Sequence, residues 1–301
     1  RFQPRANSSA THALIRQALQ GSAYTLVTSV AIEQITSPSN PRVKALRALE
    51  RKKNRAETGL FLAEGPRLVQ QGLERGWHLK TLAVAQDSLN RPHIIDLVSA
   101  ARLANAHVFS VPDRIMSKIA RKENPNAVVG AFTQQFSALD DLISDGNGIW
   151  IALYQVRDPG NLGTIVRTAD CAGVSGVILV ETCCDPFSLE AVRASMGSLF
   201  DIRLAQSSTE ALFRWQQTQK VAFVGASMNG TIRHDAAPFG ERVVLFMGNE
   251  QSGLPNDVEA QCDALIRIPM RGGADSLNLA QATAILTYEA WRQKGYDGAA
   301  P

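Results

Sequence analysis

Short apolar runs in the second half of the chain constrain its fold more than any other feature. They occupy residues 150–154, 176–180, 202–204, 221–224, 243–247 and 265–268. Helical segments at 162–172 and 279–293 lie between them and after them. Strands that are apolar along most of their length are typical of parallel sheets with both faces covered by helices. We therefore predict an α/β domain with a mostly parallel sheet over residues 149–301.

The first half of the chain alternates between strand-like and helical segments. The strand-like runs lie at residues 61–63, 81–84, 107–111 and 127–132. Pro66 opens one of the intervening helices, because proline suits the first helical turn. This alternation predicts a small α/β layer domain over residues 35–133. A linker over residues 134–148 follows and ends in the strong breaker Asp145-Gly146-Asn147-Gly148.

Basic side chains are concentrated in residues 42–55. This segment holds seven Lys and Arg against the single acid Glu50, whereas the whole chain carries a formal net charge of only +3. Val43, Leu46 and Leu49 recur in it at helical spacing, which predicts an amphipathic helix. Its basic residues form either a solvated helix face or a patch that contacts nucleic-acid phosphates.

The cysteines and the N-terminal leader bear on the compartment. Cys171, Cys183, Cys184 and Cys262 form no C-x-x-C pair, so neither a disulfide framework nor a zinc site is indicated. No apolar run is long enough to span a bilayer. We therefore expect a cytoplasmic protein. Residues 1–34 are expected to form a poorly ordered leader with one weak helix near residues 13–19, and its lack of acids up to residue 32 leaves organellar import open.

A turn with a candidate binding function follows the first strand of the C-terminal domain. Asp158-Pro159-Gly160-Asn161-Leu162-Gly163 lies between that strand and the next helix, where ligands bind in open α/β sheets. Asn161 could instead simply cap the helix. Arg167 lies in an otherwise apolar helical stretch, so we expect a buried charge that needs a partner. Its planar guanidinium suits a phosphate, and a surface arginine is the plainer alternative.

Two further polar segments follow later strands. Gly248-Asn249-Glu250 comes directly after a predicted strand, where the glycine would let a ligand approach the backbone. The acid could act in such a site, or it could merely complement the dipole of the helix that Pro255 starts. Ser276-Leu277-Asn278 enters the last helix. Its serine and asparagine could cap that helix, bind a ligand beside the free N–H groups, or do both.

Other kinds of nucleotide or metal site are not indicated. No Gly-x-Gly-x-x-Gly fingerprint follows the first strand and no Walker motif is present, which argues against an ordinary nicotinamide enzyme. The five histidines are scattered along the chain, so we expect no metal-ligand cluster.

The order and spacing of these polar segments carry a family resemblance. Residues 161–169, 248–254 and 268–280 resemble motifs one, two and three of the SpoU/TrmH family of SPOUT RNA 2′-O-ribose methyltransferases. Arg193-Ala194-Ser195-Met196-Gly197-Ser198 is similar to a family segment between motifs one and two. The resemblance implies a SPOUT fold in which the C-terminal segment threads a deep trefoil knot, an exception to the rule that chains avoid knots.

The N-terminal domain shares in this resemblance. Residues 37–132, with Phe61-Leu62-Ala63-Glu64-Gly65, are similar to the substrate-binding domain that precedes the catalytic domain in several members and resembles a ribosomal RNA-binding fold. The resemblance therefore implies a small α/β ribosomal-protein-like substrate-binding domain ahead of the catalytic one.

The resemblance also implies a methyl donor and a set of site residues. The donor would be S-adenosyl-L-methionine, and the residues whose positions match its surroundings are Gly248, Ile268, Met270, Leu277 and Ser227. The residues that match the catalytic and substrate-positioning set are Arg167, Asn161, Glu250, Ser276 and Asn278. No metal is implied, and members of the family are generally homodimers with the site near the subunit interface.

The expected reaction is methyl transfer from S-adenosylmethionine to a ribose 2′-hydroxyl of a structured RNA, with ribosomal RNA as the first choice. A transfer RNA is an alternative substrate. A non-catalytic RNA-binding or ribosome-assembly protein on the same fold, or an unrelated α/β enzyme that uses a nucleotide, are alternatives of other classes, because fold does not guarantee activity.

Overall fold

The computed structural model describes residues 9–20, 32–143 and 148–299. Parts of the predicted leader and residues 145–147 of the predicted breaker lie outside the described residues. The chain divides into two compact units. The N-terminal unit comprises Arg1–Gln134 and Phe187–Phe200, and the C-terminal unit comprises Gln135–Pro186 and Asp201–Pro301. The sequence prediction differs here, because it placed residues 187–200 in the C-terminal domain, over residues 149–301.

Helices and strands alternate along most of the chain. Up to the predicted linker, they are α1 (Ser9–Leu19), β1 (Glu33–Gln34), α2 (Pro41–Ala48), α3 (Lys52–Thr58), β2 (Leu60–Glu64), α4 (Pro66–Glu74), β3 (Leu79–Ala85), α5 (Pro92–Leu103), β4 (His107–Val111), α6 (Asp113–Ala120) and β5 (Val128–Thr133). After it, they are β6 (Gly148–Tyr154), α7 (Pro159–Cys171), β7 (Gly176–Val180), α8 (Leu189–Ala194), β8 (Leu204–Ser207), α9 (Thr209–Gln219), β9 (Ala222–Ala226), β10 (Ile232–Arg233), β11 (Arg242–Met247), α10 (Asn256–Glu259), β12 (Ala264–Arg267) and α11 (Leu279–Gln293).

The N-terminal unit is built on a mixed sheet with the strand order β1-β4-β3-β5-β2. β5 is antiparallel to both β2 and β3, whereas β4 is parallel to β1 and β3. Helices α2, α4 and α5 each carry proline in their first turn, where its missing N–H costs no hydrogen bond. The predicted small α/β domain is confirmed. The weak helix expected near residues 13–19 is α1, whose Ile15 and Ala18 are buried.

The basic segment forms two helices, α2 and α3. Leu49 ends α2, and extended backbone at Arg51 starts α3. One member of the expected basic face is internal: Arg55 is buried, and its Nη1 donates to the carbonyl oxygens of Leu49 at 2.8 Å and Glu50 at 2.6 Å. Arg55 therefore stabilises the turn between the helices and is not available to a phosphate.

Residues 187–200 supply a buried ion pair and aromatic side chains to the N-terminal unit. Arg193 donates to both carboxylate oxygens of Glu64, at 2.6 and 3.1 Å. The Glu64 side chain is 1% exposed, and Lys122 Nζ lies 3.2 Å from it. The indole of Trp77 donates to the carbonyl oxygen of Phe200 over 3.1 Å. The two segments that resemble family sequences, 61–65 and 193–198, thus meet within one core.

The C-terminal unit is built on a seven-stranded sheet with the order β10-β12-β9-β11-β6-β7-β8. Every pair of neighbouring strands in it is parallel. β7 is buried at every position and β6 at all but its last, so their side chains pack on both faces of the sheet. The predicted parallel α/β domain is confirmed, whereas the trefoil knot stays a prediction.

The strand expected at residues 202–204 is misplaced. The chain turns at Asp201 and Ile202, and β8 begins at Leu204, which is the residue that lies opposite Val177 of β7. Residues 198–200 are already engaged in the N-terminal unit, so the strand starts only after the turn. Helix α9 and the short strand β10 had no counterpart in the sequence prediction. Among the described residues, no helix combines the length and the apolarity needed to cross a bilayer.

Candidate functional site

A cavity of about 440 Å³ opens in the C-terminal unit, where β6 and β11 end. These strands are parallel neighbours, so the loops that follow them lie side by side at the carboxyl edge of the sheet, the usual place for a ligand. The start of α11 completes the cavity. Its lining residues are Arg157, Asp158, Asn161, Glu250, Gln251, Ser276, Leu277, Asn278 and Leu279.

A row of side-chain hydrogen bonds joins three of these residues. Asn278 Nδ2 donates to Asn161 Oδ1 over 2.9 Å, and Asn161 Nδ2 donates to Glu250 Oε1 over 3.3 Å. The three residues come from three separate sequence segments. Because both ends of the Asn161 amide are engaged, its orientation in the cavity is fixed.

Glu250 holds the loop between β6 and α7. Its Oε2 accepts a hydrogen bond from the backbone N–H of Arg157 at 3.2 Å, and its Oε1 accepts one from that of Asp158 at 3.1 Å. The negative carboxylate therefore lies at the N-terminus of α7, where it complements that helix's dipole. Glu250 therefore complements the dipole of α7, and not that of the helix that Pro255 starts.

Asn249 does not line the cavity but holds the loops beside it, and the sequence prediction gave it no role. It is 7% exposed, and its Nδ2 donates to the carbonyl oxygen of Gln155 over 2.6 Å. Its Oδ1 accepts from the backbone N–H groups of Gln251 and Ser252 at 2.9 and 3.4 Å. Gln155 has a left-handed backbone with φ 49°, a conformation that costs a non-glycine residue energy. The sequence feature that could have predicted this role is an asparagine in a loop, because its side chain readily binds nearby backbone groups.

Gly248 is required by its own loop. A Cβ atom there would lie 2.2 Å from the carbonyl carbon of Gly253. Asn249 and Gly253 exchange two backbone hydrogen bonds of 3.0 Å, which close the loop tightly. The glycine thus serves this close approach of backbone to backbone, whatever ligand also lies beside it.

The N-termini of α7 and α11 show which of the two asparagines, Asn161 and Asn278, caps its helix. Asp158 caps α7 by accepting from the backbone N–H of Asn161 at 2.6 Å, so Asn161 is not the cap. Asn278 does cap α11, accepting from the N–H groups of Ala280 and Gln281 at 2.9 and 3.3 Å. Its other amide atom is the one that binds Asn161. Capping and site formation are therefore combined in Asn278.

Arg167 does not line the cavity. Its side chain is exposed, which makes the expectation of a buried charge wrong, and within the described residues it makes no hydrogen bond or ion pair. It lies six positions after Asn161 on the same helix, which corresponds to roughly 9 Å along the axis and a rotation of about 120° around it. Ser276, by contrast, is exposed in the cavity wall.

The residues expected near the cofactor follow three neighbouring strands. Ser227 comes after β9, Gly248 after β11 and Ile268 after β12, and the sheet order β12-β9-β11 brings these strand ends together. The backbone N–H of Ser227 donates to the carbonyl oxygen of Ile266 over 3.0 Å. Met270 is 43% exposed, and Leu277 alone of this set lines the cavity. The exposed Met270, the partly exposed Ile268 and Leu277, and loop backbone at one sheet edge suit an adenosine that carries a sulfonium chain.

Two partly buried free cysteines lie near Glu250 of the site. Cys183 Sγ donates to the carbonyl oxygens of Leu153 and Val180 at 3.3 and 3.4 Å. Burial raises the pKa of the Cys183 thiol, and burial together with nearby negative groups raises the pKa of Cys184 to about 12. Both thiols are protonated at neutral pH and are poor nucleophiles. No group of three His, Cys, Asp or Glu in the described part of the chain is arranged to hold a metal ion.

Comparison with known proteins matches both units. The sequence matches the SpoU rRNA Methylase family over residues 148–288 and the MRM3-like substrate binding domain over residues 40–130. It is 31% identical to the 23S rRNA (uridine(2479)-2′-O)-methyltransferase of Streptomyces viridochromogenes, covering 88% of this chain and 93% of that protein. It is 27% identical to the 23S rRNA (guanosine(2553)-2′-O)-methyltransferase RlmP of Bacillus subtilis, covering 85% and 98%.

A solved structure is more similar still. The crystal structure of an AdoMet-bound rRNA methyltransferase from Sinorhizobium meliloti is 45% identical in sequence and has a TM-score of 0.82. The match covers 87% of this chain and 98% of that one.

Proposed function

Because this chain belongs to the SpoU family of RNA methyltransferases, we propose that it transfers a methyl group from S-adenosylmethionine to a ribose 2′-hydroxyl of 23S ribosomal RNA. The observation that carries this proposal is the hydrogen-bonded row Asn278–Asn161–Glu250 in the cavity wall. It joins the three polar segments on which the family resemblance rests. The names of the relatives supply the class of RNA and the position of the methyl group.

The residues that would hold the cofactor are Ser227, Gly248, Ile268, Met270 and Leu277. S-adenosylmethionine supplies a methyl group that its positive sulfonium already activates. Little further chemical activation is needed, so the remaining task of the protein is to position the acceptor hydroxyl and to allow its proton to leave.

The side chains of the cavity suit this positioning task. Asn161 and Asn278 are fixed amides that can orient the ribose, and the Ser276 hydroxyl can donate to a phosphate oxygen. Both oxygens of Glu250 accept hydrogen bonds from the loop, so Glu250 acts as a positioning residue rather than as the proton acceptor. Arg167 is not a base either, since the pKa of an arginine lies above ~12. The proton leaves to the substrate phosphate or to water.

Arg167 and the face of α11 support a homodimer. Arg167 is exposed away from the cavity of its own chain, and α7 packs directly on α11. On α11, the large apolar side chains of Ile285 and Tyr288 are 39% and 42% exposed. A second copy that covers these helices would bury the apolar side chains and place Arg167 near the subunit interface, where it can grip the RNA phosphate. Light scattering during gel filtration tests this, and an active monomer would rule it out.

The reaction is tested by transfer of a tritiated methyl group from S-adenosylmethionine to RNA from cells that lack the protein. The proposal is supported if the label is in 23S RNA, is not removed by demethylation of the nucleobases, and maps to one ribose. Label in transfer RNA would favour the alternative substrate. Binding of S-adenosylhomocysteine without any transfer would favour a ribosome-assembly role. A cytoplasmic site of action accords with the ribosomal substrate and with four free thiols, and it stays a prediction.

A further inference from the structure

We infer that Arg157 is a substrate-contacting residue whose guanidinium binds a phosphate of the RNA strand that enters the cavity. This inference rests on the proposed methyltransferase function and adds to it a residue that none of the sequence motifs singled out. Arg157 lies one position before the Asp158-Pro159 turn and lines the same cavity as Asn161 and Ser276.

The backbone of Arg157 is held in place by the site itself. Its N–H donates to Glu250 Oε2 over 3.2 Å, and the carboxylate's other oxygen accepts from Asn161 Nδ2 over 3.3 Å. One carboxylate therefore fixes both the point from which the guanidinium extends and the amide expected to orient the ribose. A cation that extends from a fixed backbone loses less freedom when it binds than one on a mobile loop.

The guanidinium is free to take an external anion. The Arg157 side chain is exposed, and in the described part of the chain it makes neither a hydrogen bond nor an ion pair. The two carboxylates that line the cavity are already used: Asp158 accepts from the N–H of Asn161 at 2.6 Å, and Glu250 accepts from two loop N–H groups. Arg157 thus lines the cavity without an ion-pair partner among the described residues, and its planar fork matches phosphate oxygens.

Two helix N-termini add to the attraction for an anion. Helix α7, of 13 residues, and helix α11, of 15 residues, both begin in the cavity wall. The N-terminus of a helix carries a partial positive charge, so two of them beside a free guanidinium favour a negative ligand.

A phosphate fits better than the other available anion, the carboxylate of the methionine part of the cofactor. Of the five residues expected around the cofactor, only Leu277 lines this cavity, whereas four of the five expected catalytic residues do so: Asn161, Glu250, Ser276 and Asn278. The cavity therefore belongs mainly to the acceptor side of the reaction, which is RNA.

The test uses the full-length protein with Arg157→Gln, Arg157→Lys and a control, Arg214→Gln. Arg214 is exposed on α9 and pairs with Glu210 one turn away, outside the cavity. Two quantities are measured: the affinity for 23S RNA transcribed in vitro, as a function of salt, and the affinity for S-adenosylhomocysteine by calorimetry. Since the Arg157 side chain is exposed and makes no hydrogen bond or ion pair among the described residues, all three variants should fold, and thermal melting checks this.

For Arg157→Gln we expect about a tenfold weaker RNA affinity and a salt slope reduced by about 0.7, the change for one lost phosphate contact on a single strand. Arg157→Lys should keep the slope and lose only about threefold in affinity, because the charge remains but the fork is lost. Arg214→Gln should match the wild type, and no variant should change the affinity for S-adenosylhomocysteine.

Each other outcome overturns the inference. Weaker S-adenosylhomocysteine binding with unchanged RNA binding assigns the guanidinium to the cofactor carboxylate. Unchanged values for both ligands leave Arg157 as a solvent-exposed charge only. Failure of the proposed function looks different, because the wild-type protein would then bind neither ligand or would transfer no methyl group.

Discussion

Asn278 Nδ2 donates a hydrogen bond to Asn161 Oδ1 over 2.9 Å, between residues 117 positions apart in the chain. Each of the two amides has a second partner: Asn278 Oδ1 caps α11, and Asn161 Nδ2 donates to Glu250. An asparagine amide offers donors at one end and an acceptor at the other, so each residue can join two partners at once. The start of α11 and the start of α7 are thereby joined to the loop after β11. A change at any one of the three should disturb the other two.

Replacing Asn161 by aspartate should disrupt this row most directly. Asn161→Asp removes the Nδ2 donor and places a second carboxylate against Glu250 Oε1, which is 3.3 Å from that nitrogen. Like charges at this distance repel each other. We expect a loss of about 1–3 kcal/mol in the free energy of unfolding. We also expect methyl transfer to fall about 100-fold, the scale of a 1 Å misplacement in an active site.

The control for this variant is Asn256→Asp, at the exposed start of α10. It makes the same chemical change outside the cavity and should leave both quantities within error, or slightly stabilise the helix through its dipole. Chemical denaturation gives the free energy of unfolding, and a single-turnover assay gives the rate of methyl transfer. Near-normal transfer by Asn161→Asp would contradict the assigned role of the row.

Asn249 and Gln155 should show coupled effects on stability. Asn249→Ala leaves the carbonyl oxygen of Gln155 without its 2.6 Å donor and frees the N–H groups of Gln251 and Ser252. Leaving such partly buried groups without their partner costs about 1–3 kcal/mol. Gln155→Gly removes the penalty of the left-handed backbone, whose φ is 49°, so it should be nearly neutral by itself.

A double-mutant cycle measures this coupling. In Asn249→Ala, the strained backbone of Gln155 is no longer held, and glycine at residue 155 should recover part of the lost stability. We expect a coupling free energy of about 0.5–1.5 kcal/mol, since residues that share a hydrogen bond are not additive. Strictly additive effects of the two substitutions would show that Asn249 does not hold the left-handed turn.

Some of this architecture was predictable because its signals are local in the sequence. The parallel sheet follows from strands that are apolar throughout, such as β7, and the bounds of α11 follow from the cap at Asn278 and the apolar stripe behind it. Tertiary contacts decided the rest. Arg55, expected on a helix face that is either solvated or phosphate-binding, is held by backbone carbonyls, and Arg167 takes the surface alternative rather than the buried one.

The site shows the same division. Asn161, Glu250, Ser276 and Asn278 were expected through their motifs, and the structure brings them to one cavity. The contributions of Asn249 and Arg157 depend on loops that meet only in the folded chain. Asn249 and its partner Gln155 are 94 positions apart in the sequence, and Arg157 and its partner Glu250 are 93 positions apart. No local pattern encodes such a pairing.

The buried ion pair between Arg193 and Glu64 should be important for the stability of the N-terminal unit. The Glu64 side chain is 1% exposed and the Arg193 side chain is 33% exposed. Arg193→Ala leaves the buried carboxylate with Lys122 alone, and breaking a pair of this kind costs about 3–5 kcal/mol. Arg214→Ala, which removes an exposed pair on α9, should cost at most about 0.5 kcal/mol.

The double variant Arg193→Met with Glu64→Leu separates charge from packing. Replacing both partners by apolar side chains removes the unpaired buried charge, so it should be more stable than Arg193→Ala alone. Urea denaturation of the full-length variants gives the comparison. An Arg193→Ala protein as stable as the wild type would mean that Lys122 or water compensates Glu64 completely.

The exposed basic face of α2 and α3 should bind RNA, whereas Arg55 should not. Arg47 and Arg51 are exposed and, among the residues that the structure describes, form no hydrogen bond or ion pair through their side chains. The double variant Arg47→Glu with Arg51→Glu should weaken binding to 23S RNA at least tenfold and reduce the salt slope by about 0.7 for each lost phosphate contact. Affinity for S-adenosylhomocysteine should not change, because these residues belong to the N-terminal unit.

The matched control reverses two other exposed charges of the same unit, Lys80→Glu with Arg91→Glu, and so produces the same change in net charge elsewhere. If only the total charge mattered, both double variants would weaken RNA binding alike, and the face of α2 and α3 would have no special role. Arg55→Met provides a different contrast. It leaves the carbonyl oxygens of Leu49 and Glu50 without their donor, so it should lower the melting temperature while the salt slope of RNA binding stays unchanged.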